Sequence, residues 1–344
     1  MKIIVDAMGG DNAPLEIVRG ALDANRNHGV EIILVGRTAE VLKAVEACGQ
    51  KSLPSGVEIK DAAEVVEIAD DPAMAFKLKP NSSLTVGLNL LKDGVGDAFV
   101  SAGSTGALLS GATLVVKRIR GIRRAAMGPQ IPTAGGRAVL CDCGANAECT
   151  PEYLLQFAYL GSYYAQKVMG IDKPRVGLLN IGAEEEKGDA LRHETCALLK
   201  EAGDAGRIHF IGNVEANDAM MGATDVLVTD GFTGNVMLKT MEGVGKFLLK
   251  SLKAMFLSST KTKLAAGLVK GDLGQMKKLM DPSEVGGTPF LGIQKPVIKA
   301  HGGSNARAIE NAVLRAKEYA ESGFIADIQA NIEHMRVRTP AEKN

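Results

Sequence analysis

Val226-Leu227-Val228 runs into Thr229-Asp230-Gly231-Phe232-Thr233-Gly234-Asn235, and Val236-Met237-Leu238-Lys239 runs out of it. A short apolar run entering a glycine-containing polar loop, followed by a segment of helical character, is a strand–turn–helix junction. At such a junction the first N–H groups of the helix lack intrahelical partners, glycines let a ligand approach the backbone, and the helix dipole favours negative charge. The loop is therefore a candidate phosphate site. Taken alone, Gly231 and Gly234 also serve an ordinary tight turn. Repetition decides between the two readings.

Four further loops follow apolar runs. Ile3-Ile4-Val5 leads into Asp6-Ala7-Met8-Gly9-Gly10-Asp11, and Ala98-Phe99-Val100 leads into Ser101-Ala102-Gly103-Ser104-Thr105-Gly106. Ala138-Val139-Leu140 leads into Asp142-Cys143-Gly144-Ala145-Asn146, and Pro296-Val297-Ile298 runs through Lys299 and Ala300 into His301-Gly302-Gly303-Ser304-Asn305. In parallel α/β sheets the loops at the carboxyl ends of strands share one edge, where ligands bind. Five such loops predict one cleft. Five independent left-handed turns and helix caps are the alternative, but turns alone do not call for Asp, Asn, Ser and Thr so regularly.

The rest of the chain supports a large α/β protein. Strand-like and helix-like segments alternate from the start: Ile3–Val5, a helix opened by Pro14, Ile32–Val35, a helix from Thr38, Val57–Ile59, a helix over Ser83–Lys92, then Ala98–Val100. This is the βαβ rhythm of a mainly parallel sheet. Arg118 to Arg137 is rich in Gly, Pro and Arg and reads as a loop or irregular β segment. Thr150 and Pro151 form an N-cap and first helical position for a helix ending at Gly170, whose aromatics read as core, with a dimer contact as the other possibility. Further strands are expected at Val176–Leu179, His209–Ile211 and Val226–Val228, and helices near Lys187–Lys200, Arg307–Tyr319 and Ile325–Met335.

Composition narrows the function. The 344 residues are 46% hydrophobic, enough for a substantial core, while net charge is zero, aromatics are 4% and Trp is absent. No global basic field or stacking platform favours nucleic acid. The five cysteines are an odd number, and the amino-terminal apolar run is too short for a signal peptide, so a reduced cytoplasmic setting is expected. Cys141, Cys143 and Cys149 lack zinc-site spacing and read as buried thiols. The longest apolar stretch, near Ala107 to Val116, is far shorter than the ~20 residues of a bilayer span.

Lys246 to Lys278 departs from the rhythm. Leu264, Leu268 and Val269 alternate there with Lys261, Lys263 and Lys270, and Asp272 is its one acid. Two helices joined around Ser258 to Lys261 would form an amphipathic, basic projection suited to a membrane surface or an acidic partner. A helical hairpin packed on the core with solvated lysines fits equally.

Several familiar chemistries are disfavoured. Gly94-Val95-Gly96 precedes its apolar run instead of following it, so no dinucleotide fingerprint is present, and there is no GxxxxGK[ST] loop. Ser104 lacks the GxSxG context of a nucleophile elbow. His301 is a possible base or simply a helix-entry residue. Lys187, after Leu178-Leu179-Asn180-Ile181, would carry a cation to a strand end, where it can neutralise phosphate or a developing oxyanion. Three adjacent glutamates make a charge-balanced helix start the plain alternative.

Asp6-Ala7-Met8-Gly9-Gly10-Asp11, Ser101-Ala102-Gly103 with Thr105-Gly106-Ala107, Asp142 with Gly144-Ala145-Asn146, Lys187-Gly188, Thr229 to Asn235, and His301-Gly302 with Ser304 together resemble the bacterial phosphate acyltransferases. These are also called acyl-carrier-protein:phosphate transacylases. The resemblance covers nearly the whole chain, with Ser104 standing where the family more often carries Asn. It implies a three-layer α/β/α sandwich of the isocitrate/isopropylmalate dehydrogenase type, with residues 1–344 as one catalytic unit and 246–278 as a helical protrusion. It also implies a homodimer without nicotinamide, metal or other cofactor, peripherally associated with the inner face of the cell membrane. The implied reaction moves a long-chain acyl group from acyl-carrier protein to inorganic phosphate, and the acyl phosphate then feeds a glycerol-3-phosphate acyltransferase.

Phosphate is already nucleophilic near neutral pH and a thiol of pKa ~8.5 leaves readily, so such an enzyme mainly aligns reactants and stabilises an oxyanion. Lys187 and Asn235 are the expected catalytic residues. Phosphate and substrate contacts are expected from Asp6, Gly9, Gly10, Asp11, Gly103, Ser104, Thr105, Gly106, Asp142, Asn146, Asp230, Gly231, Phe232, Thr233, Gly234, His301 and Ser304. Leu264, Leu268, Val269 and Lys270 are the expected membrane or carrier contacts. Rival readings are a phosphate acetyltransferase-like enzyme using a coenzyme A thioester, a decarboxylating dehydrogenase on a related fold, and a non-catalytic scaffold that binds acyl-carrier protein.

Overall fold

The computed structural model describes residues 1–274 and 282–337. Strands β1 (Lys2–Asp6) and β2 (Glu31–Gly36) pair in parallel and divide their side chains by parity. Ile3, Val5, Ile32 and Leu34 enter one apolar cluster, while Ile4, Ile33 and Val35 enter another. A strand covered on both faces must be apolar at consecutive positions, which is why these segments read as unbroken hydrophobic runs.

Two sheets result, where the βαβ rhythm alone predicts one. The first has seven strands in the order β3-β2-β1-β4-β12-β11-β5, adding β3 (Val57–Asp61), β4 (Ala98–Ser101), β5 (Ala126–Met127), β11 (Thr288–Leu291) and β12 (Val297–Lys299). The second has five strands in the order β6-β7-β10-β8-β9: β6 (Gln130–Thr133), β7 (Gly136–Cys141), β8 (Arg175–Leu179), β9 (His209–Val214) and β10 (Val226–Val228). Both are mainly parallel; β11 runs antiparallel to β12 and β5, and β6 runs antiparallel to β7. The Gly- and Pro-rich stretch before Arg137 makes the change of sheet, giving β5 to the first and β6 to the second.

One core is nevertheless common to both sheets. Ile3 and Val100 of the first share a buried cluster with Val139, Val176 and Val226 of the second. Helices α1 (Leu15–His28), α6 (Pro151–Lys167), α7 (Ala190–Asp204) and α11 (Ala306–Glu321) bury their apolar residues in it. Helices α4 (Ser83–Lys92) and α5 (Thr105–Gly111) cover the opposite face of the first sheet. Met237, Leu238 and Met241 of α9 (Gly231–Leu257) pack on the opposite face of the second. Helices thus flank sheet on both sides, as in an α/β/α sandwich.

The aromatics of α6 are core. Tyr164 meets Tyr319 of α11 and Phe324, the first residue of α12 (Phe324–Ala330), edge-on, with centroids 5.7 and 6.3 Å away; Tyr319 and Phe324 are 5.2 Å apart. All three rings are at most 1% exposed.

Local expectations are met with small shifts. Thr150 and Pro151 cap and open α6, and the helix expected from Lys187 begins at Ala190, where the Asp189 carboxylate accepts from Arg192 N–H at 2.9 Å. The helix expected over Ile325–Met335 is α12 followed by a 3₁₀ turn, Ile332–Met335. The projecting segment is not a separate hairpin: its first helix is the continuation of α9, which starts at the Asp230 loop. Ser258 and Ser259 make the turn into α10 (Thr260–Leu268), which buries no residue. Lys277, Lys278 and the rest of that segment beyond residue 274 lie outside the described residues.

Replacing Phe324 with Ala removes the apex of the aromatic cluster from a fully buried site. An unfolding free-energy loss of about 3–5 kcal/mol is expected by denaturant titration. A loss below about 1 kcal/mol would mean the cluster does not bind α6 to α11.

Candidate active site

The loops foreseen as one edge fall into two groups. Those after β1, β4 and β12 sit side by side because these strands are parallel neighbours, and those after β7, β10 and β8 do so in the second sheet.

In the first group Asp6, 2% exposed, accepts from Ser101 Oγ at 2.6 Å and from Met8 N–H at 3.2 Å. Burial raises its pKa against the pull of these donors. Gly9 is required by close approach, since a Cβ there would lie 2.5 Å from Asp6 Oδ2 and 2.7 Å from Gly103 N. Asp11 N–H donates to Gly302 O at 2.8 Å, and Asn12 Nδ2 to Ser304 O at 3.2 Å, so the loop after β1 is stitched to that after β12. Ser104 caps α5, accepting from Ala107 N–H at 3.4 Å. His301 is exposed and its Nδ1 accepts from Gly303 N–H at 3.1 Å. Ser304 is buried with its hydroxyl unpartnered among the described residues.

Asp142 organises the second group. Its carboxylate, 0% exposed, accepts from the N–H groups of Met127, Cys143, Ala145 and Asn146 and from Asn146 Nδ2, at 2.7–3.3 Å. Burial raises its pKa despite these bonds. Its lone pairs are spent inside the protein, so Asp142 shapes the loop and does not face a ligand. Asn146 is likewise committed, its amide also reaching Ala125 O at 2.8 Å. The helix opening at Gly231 docks on this loop: Gly231 N–H donates to Asn146 O at 2.8 Å, and a Cβ on Gly234 would land on the Asp142 carbonyl oxygen.

The α9 amino terminus is more occupied than its sequence implies. Asp230 caps it, accepting Thr233 N–H and Thr233 Oγ1, both at 2.8 Å, and pairs with Arg192 of α7. Burial pushes the Asp230 pKa up, but the Thr233 bonds and Arg192 outweigh it and hold the carboxyl below its usual value. Gly231 N–H is also taken, leaving Phe232 N–H without an acceptor among the described residues. Phe232, Asn235, Val236 and Lys239 form an exposed stripe on α9, at the i, i+3, i+4, i+7 spacing of one helix face. The Asn235 side chain stands over the Asp142 loop, 3.7 Å from where a Gly144 Cβ would be, and carries no hydrogen bond among the described residues.

Lys187 is exposed on the loop between β8 and α7, its stem against Gly182 and its backbone O accepting from Asn180 Nδ2 at 2.9 Å. No described residue pairs with its ammonium group. The two thiols of the Asp142 loop region are poor nucleophiles: burial pushes Cys143 and Cys149 up to about 12, leaving little thiolate near neutral pH.

Three charged residues escaped the sequence reading. Arg192 locks Asp230, Lys239 continues the Asn235 stripe, and Lys299 ends β12. Lys299 is buried and donates to Ala102 O at 3.4 Å and to Ala300 O. Burial pulls its pKa down to about 8, opposed by Asp6 and Asp11 and aided by Lys239. Lys239 also acts on the Cys143 thiol. The charge of Lys239 thus acts on groups in both loop sets, Lys299 in the first and Cys143 in the second. Helical spacing from Asn235 could have found Lys239; a lysine closing an otherwise apolar strand was the available signal for Lys299.

A parallel α/β scaffold with paired sets of small-residue loops and unpaired lysines at the strand ends defines an enzyme that handles anionic substrates. A family model described as "Fatty acid synthesis protein" matches residues 1–327. The phosphate acyltransferase of Acetivibrio thermocellus is 43% identical over 338 residues, covering 98% of each chain. Among solved structures, a phosphotransacetylase from Streptococcus pyogenes superposes with TM-score 0.65 at 19% identity, covering 93% of this chain and 94% of its own. A 4-hydroxythreonine-4-phosphate dehydrogenase from Klebsiella pneumoniae gives 0.54 at 13% identity, covering 93% and 99%. The structural likenesses confirm the fold class. The chain belongs to the phosphate acyltransferase family, enzymes of acyl transfer to phosphate.

Two glycines of α9 test the docking of its amino terminus. Gly234→Ala should cost stability and activity together, because its Cβ meets backbone that cannot yield. Gly243→Ala, with nothing within 4 Å, should be neutral or stabilising by up to about 1 kcal/mol. Thermal unfolding of both variants checks this, and equal behaviour would contradict the packing described.

Proposed function

We propose that the chain transfers a long-chain acyl group from the thioester of acyl-carrier protein to inorganic phosphate, and that its acyl phosphate product feeds glycerol-3-phosphate acylation. Asn235 is the observation that carries this reading. An uncommitted amide on the first turn of a long helix, beside the free Phe232 N–H, is suited to a phosphate oxygen or an oxyanion. Lys187, unpaired on the loop beside β10, supplies the complementary charge. In this reading the loop at 103–106 adds phosphate contacts, with His301 and Ser304 on the neighbouring loop after β12. No covalent enzyme intermediate is required, since phosphate itself attacks the thioester.

The exposed far end of α9 and α10 supports the donor and membrane assignments. Phe247, Met255, Leu257, Leu264 and Leu268 are more than half exposed, with Leu268 at 89%, beside Lys250, Lys253, Lys261 and Lys263. No helix among the described residues is long and apolar enough to cross a membrane. A basic, apolar surface of this kind suits peripheral contact with the cytoplasmic face of a membrane or docking of an acidic carrier. We take residues 1–344 to act as one catalytic unit, paired in a cytoplasmic homodimer.

Purified protein incubated with palmitoyl carrier protein and phosphate, with acyl phosphate trapped by hydroxylamine, tests the reaction. Lys187→Ala and Asn235→Ala should each lower turnover by roughly 10²-fold or more with folding intact. Near wild-type turnover in both would remove them from the chemistry. Activity with a coenzyme A thioester and none with the carrier protein would replace the donor.

Flotation with vesicles containing anionic lipid checks the surface assignment. Leu268→Glu should reduce the bound fraction, and unchanged association would argue against insertion at α10.

A further inference from the structure

Transfer from a thioester to phosphate moves a proton as well as an acyl group. Hydrogen phosphate dianion attacks the carbonyl carbon: a C–O bond forms, the C–S bond breaks, and the electron pair leaves on sulfur. The proton that the phosphate carried must end on that sulfur, giving acyl phosphate dianion and a neutral thiol. Asn235 is an amide and moves no proton. Nothing in the exposed position of Lys187 sets it apart from solvent as a proton carrier.

Lys299 is the one lysine or arginine among the described residues that is buried. Its ammonium is held where the loops after β4 and β12 join, by Ala102 O at 3.4 Å and Ala300 O. Two carbonyls engage two of its three N–H donors and leave the third. The charged groups that act on it come from both loop sets: Asp6 and Asp11 from the loop after β1, and Lys239 from α9. The neighbouring imidazole is a poorer carrier, because His301 is exposed and its Nδ1 is committed to Gly303 N–H.

We propose that Lys299 is the proton carrier of the acyl transfer: its ammonium gives a proton to the departing sulfur, and the resulting amine recovers one from the phosphate. This rests on the reading of the cleft as the acyl-transfer site. Burial brings the Lys299 pKa to about 8, close to the ~8.5 of an ordinary thiol, so a proton passes between them without a large uphill step.

Two donors separate this role from a structural one: an acyl pantetheine, whose alkyl thiolate needs a proton, and the matching thiophenyl ester, whose acidic thiol leaves without one. Acyl phosphate is trapped with hydroxylamine in phosphate buffer, and folding is followed by thermal unfolding. Lys299→Met should lose about 10²-fold or more on the pantetheine ester and stay within about tenfold of wild type on the aryl ester. Lys299→Arg, which keeps the charge but does not release its proton, should show the same split. Wild-type turnover of the pantetheine ester should fall as pH rises through about 8, where the ammonium is lost, with no such limb on the aryl ester. That profile carries the test should both variants fail to fold. Equal losses on the two donors, no loss on either, or matching alkaline limbs would overturn the assignment while leaving the acyl-transfer reading standing. Wild-type protein that forms no acyl phosphate from either donor or from the palmitoyl carrier protein would sink that reading and this proposal with it.

Discussion

The buried carboxylate of Asp142 ties the edge of the first sheet to the site loop of the second. It gathers Met127 N–H from β5, the last strand of the first sheet, and Cys143, Ala145 and Asn146 N–H from the loop after β7. The bond from Cys143 is buried and the others are partly buried, so removing the carboxylate would strand these donors at up to about 1–3 kcal/mol for a fully buried group. The same loop provides the surface on which the first turn of α9 rests, with Gly231 N–H bonded to Asn146 O. The position of Asn235 thus depends on a side chain that touches no ligand.

The charges around this hub are sorted by whether they are spent. Asp230 is bound by Thr233 and Arg192, and Asp225 by both Arg175 Nε and Nη2, so these carboxylates are structural. Lys239 pairs with Glu242 at 2.9 Å at the surface, where such a contact costs little to exchange. Lys187 and Lys299 are held without a carboxylate in salt-bridge contact among the described residues. Unspent positive charge at the ends of parallel strands is what a phosphate-handling cleft needs. Asp6 and Asp11 moderate the field instead of cancelling it, since neither pairs directly with Lys299.

Much of this was legible because doubly covered parallel strands must be apolar at consecutive positions. Val226–Val228, Ile3–Val5 and Ala98–Val100 announce themselves, and polar loops at their carboxyl ends follow from the topology. The division into two sheets was not legible, because local pattern specifies a strand and not its neighbour. Strand β11, at Thr288–Leu291, is four residues long and contains Pro289, so it carries little β signal. At the candidate site, the sequence marked loops that the fold sets at the carboxyl ends of its strands, but not how their hydrogen bonds are spent. Asp142 and Asp230 resemble anion-site residues by type, and only the fold reveals five N–H groups on the first and an arginine on the second. Lys299 escaped for the converse reason: a lone lysine ending a strand reads as solvated until the loops from β1 and β4 close over it.

Helix α9 gives the molecule its second constraint. Its 27 residues span roughly 40 Å at 1.5 Å per residue, with Asn235 in the first turns and Leu257 at the far end. The apolar, basic surface at the tip is therefore carried on the same rigid element that presents Asn235 to the cleft. Met237, Leu238 and Met241 fix the near half against the second sheet, while the far half presents Phe247, Met255 and Leu257 to solvent. The close backbone contact between Gly234 and Asp142 anchors the near end of this helix. An α-carbon without a side chain is needed there because it brings the helix close enough to the hub for the docking to be stiff. The sequence Gly-Phe-Thr-Gly-Asn thus positions the Asn235 amide by anchoring the helix beneath it.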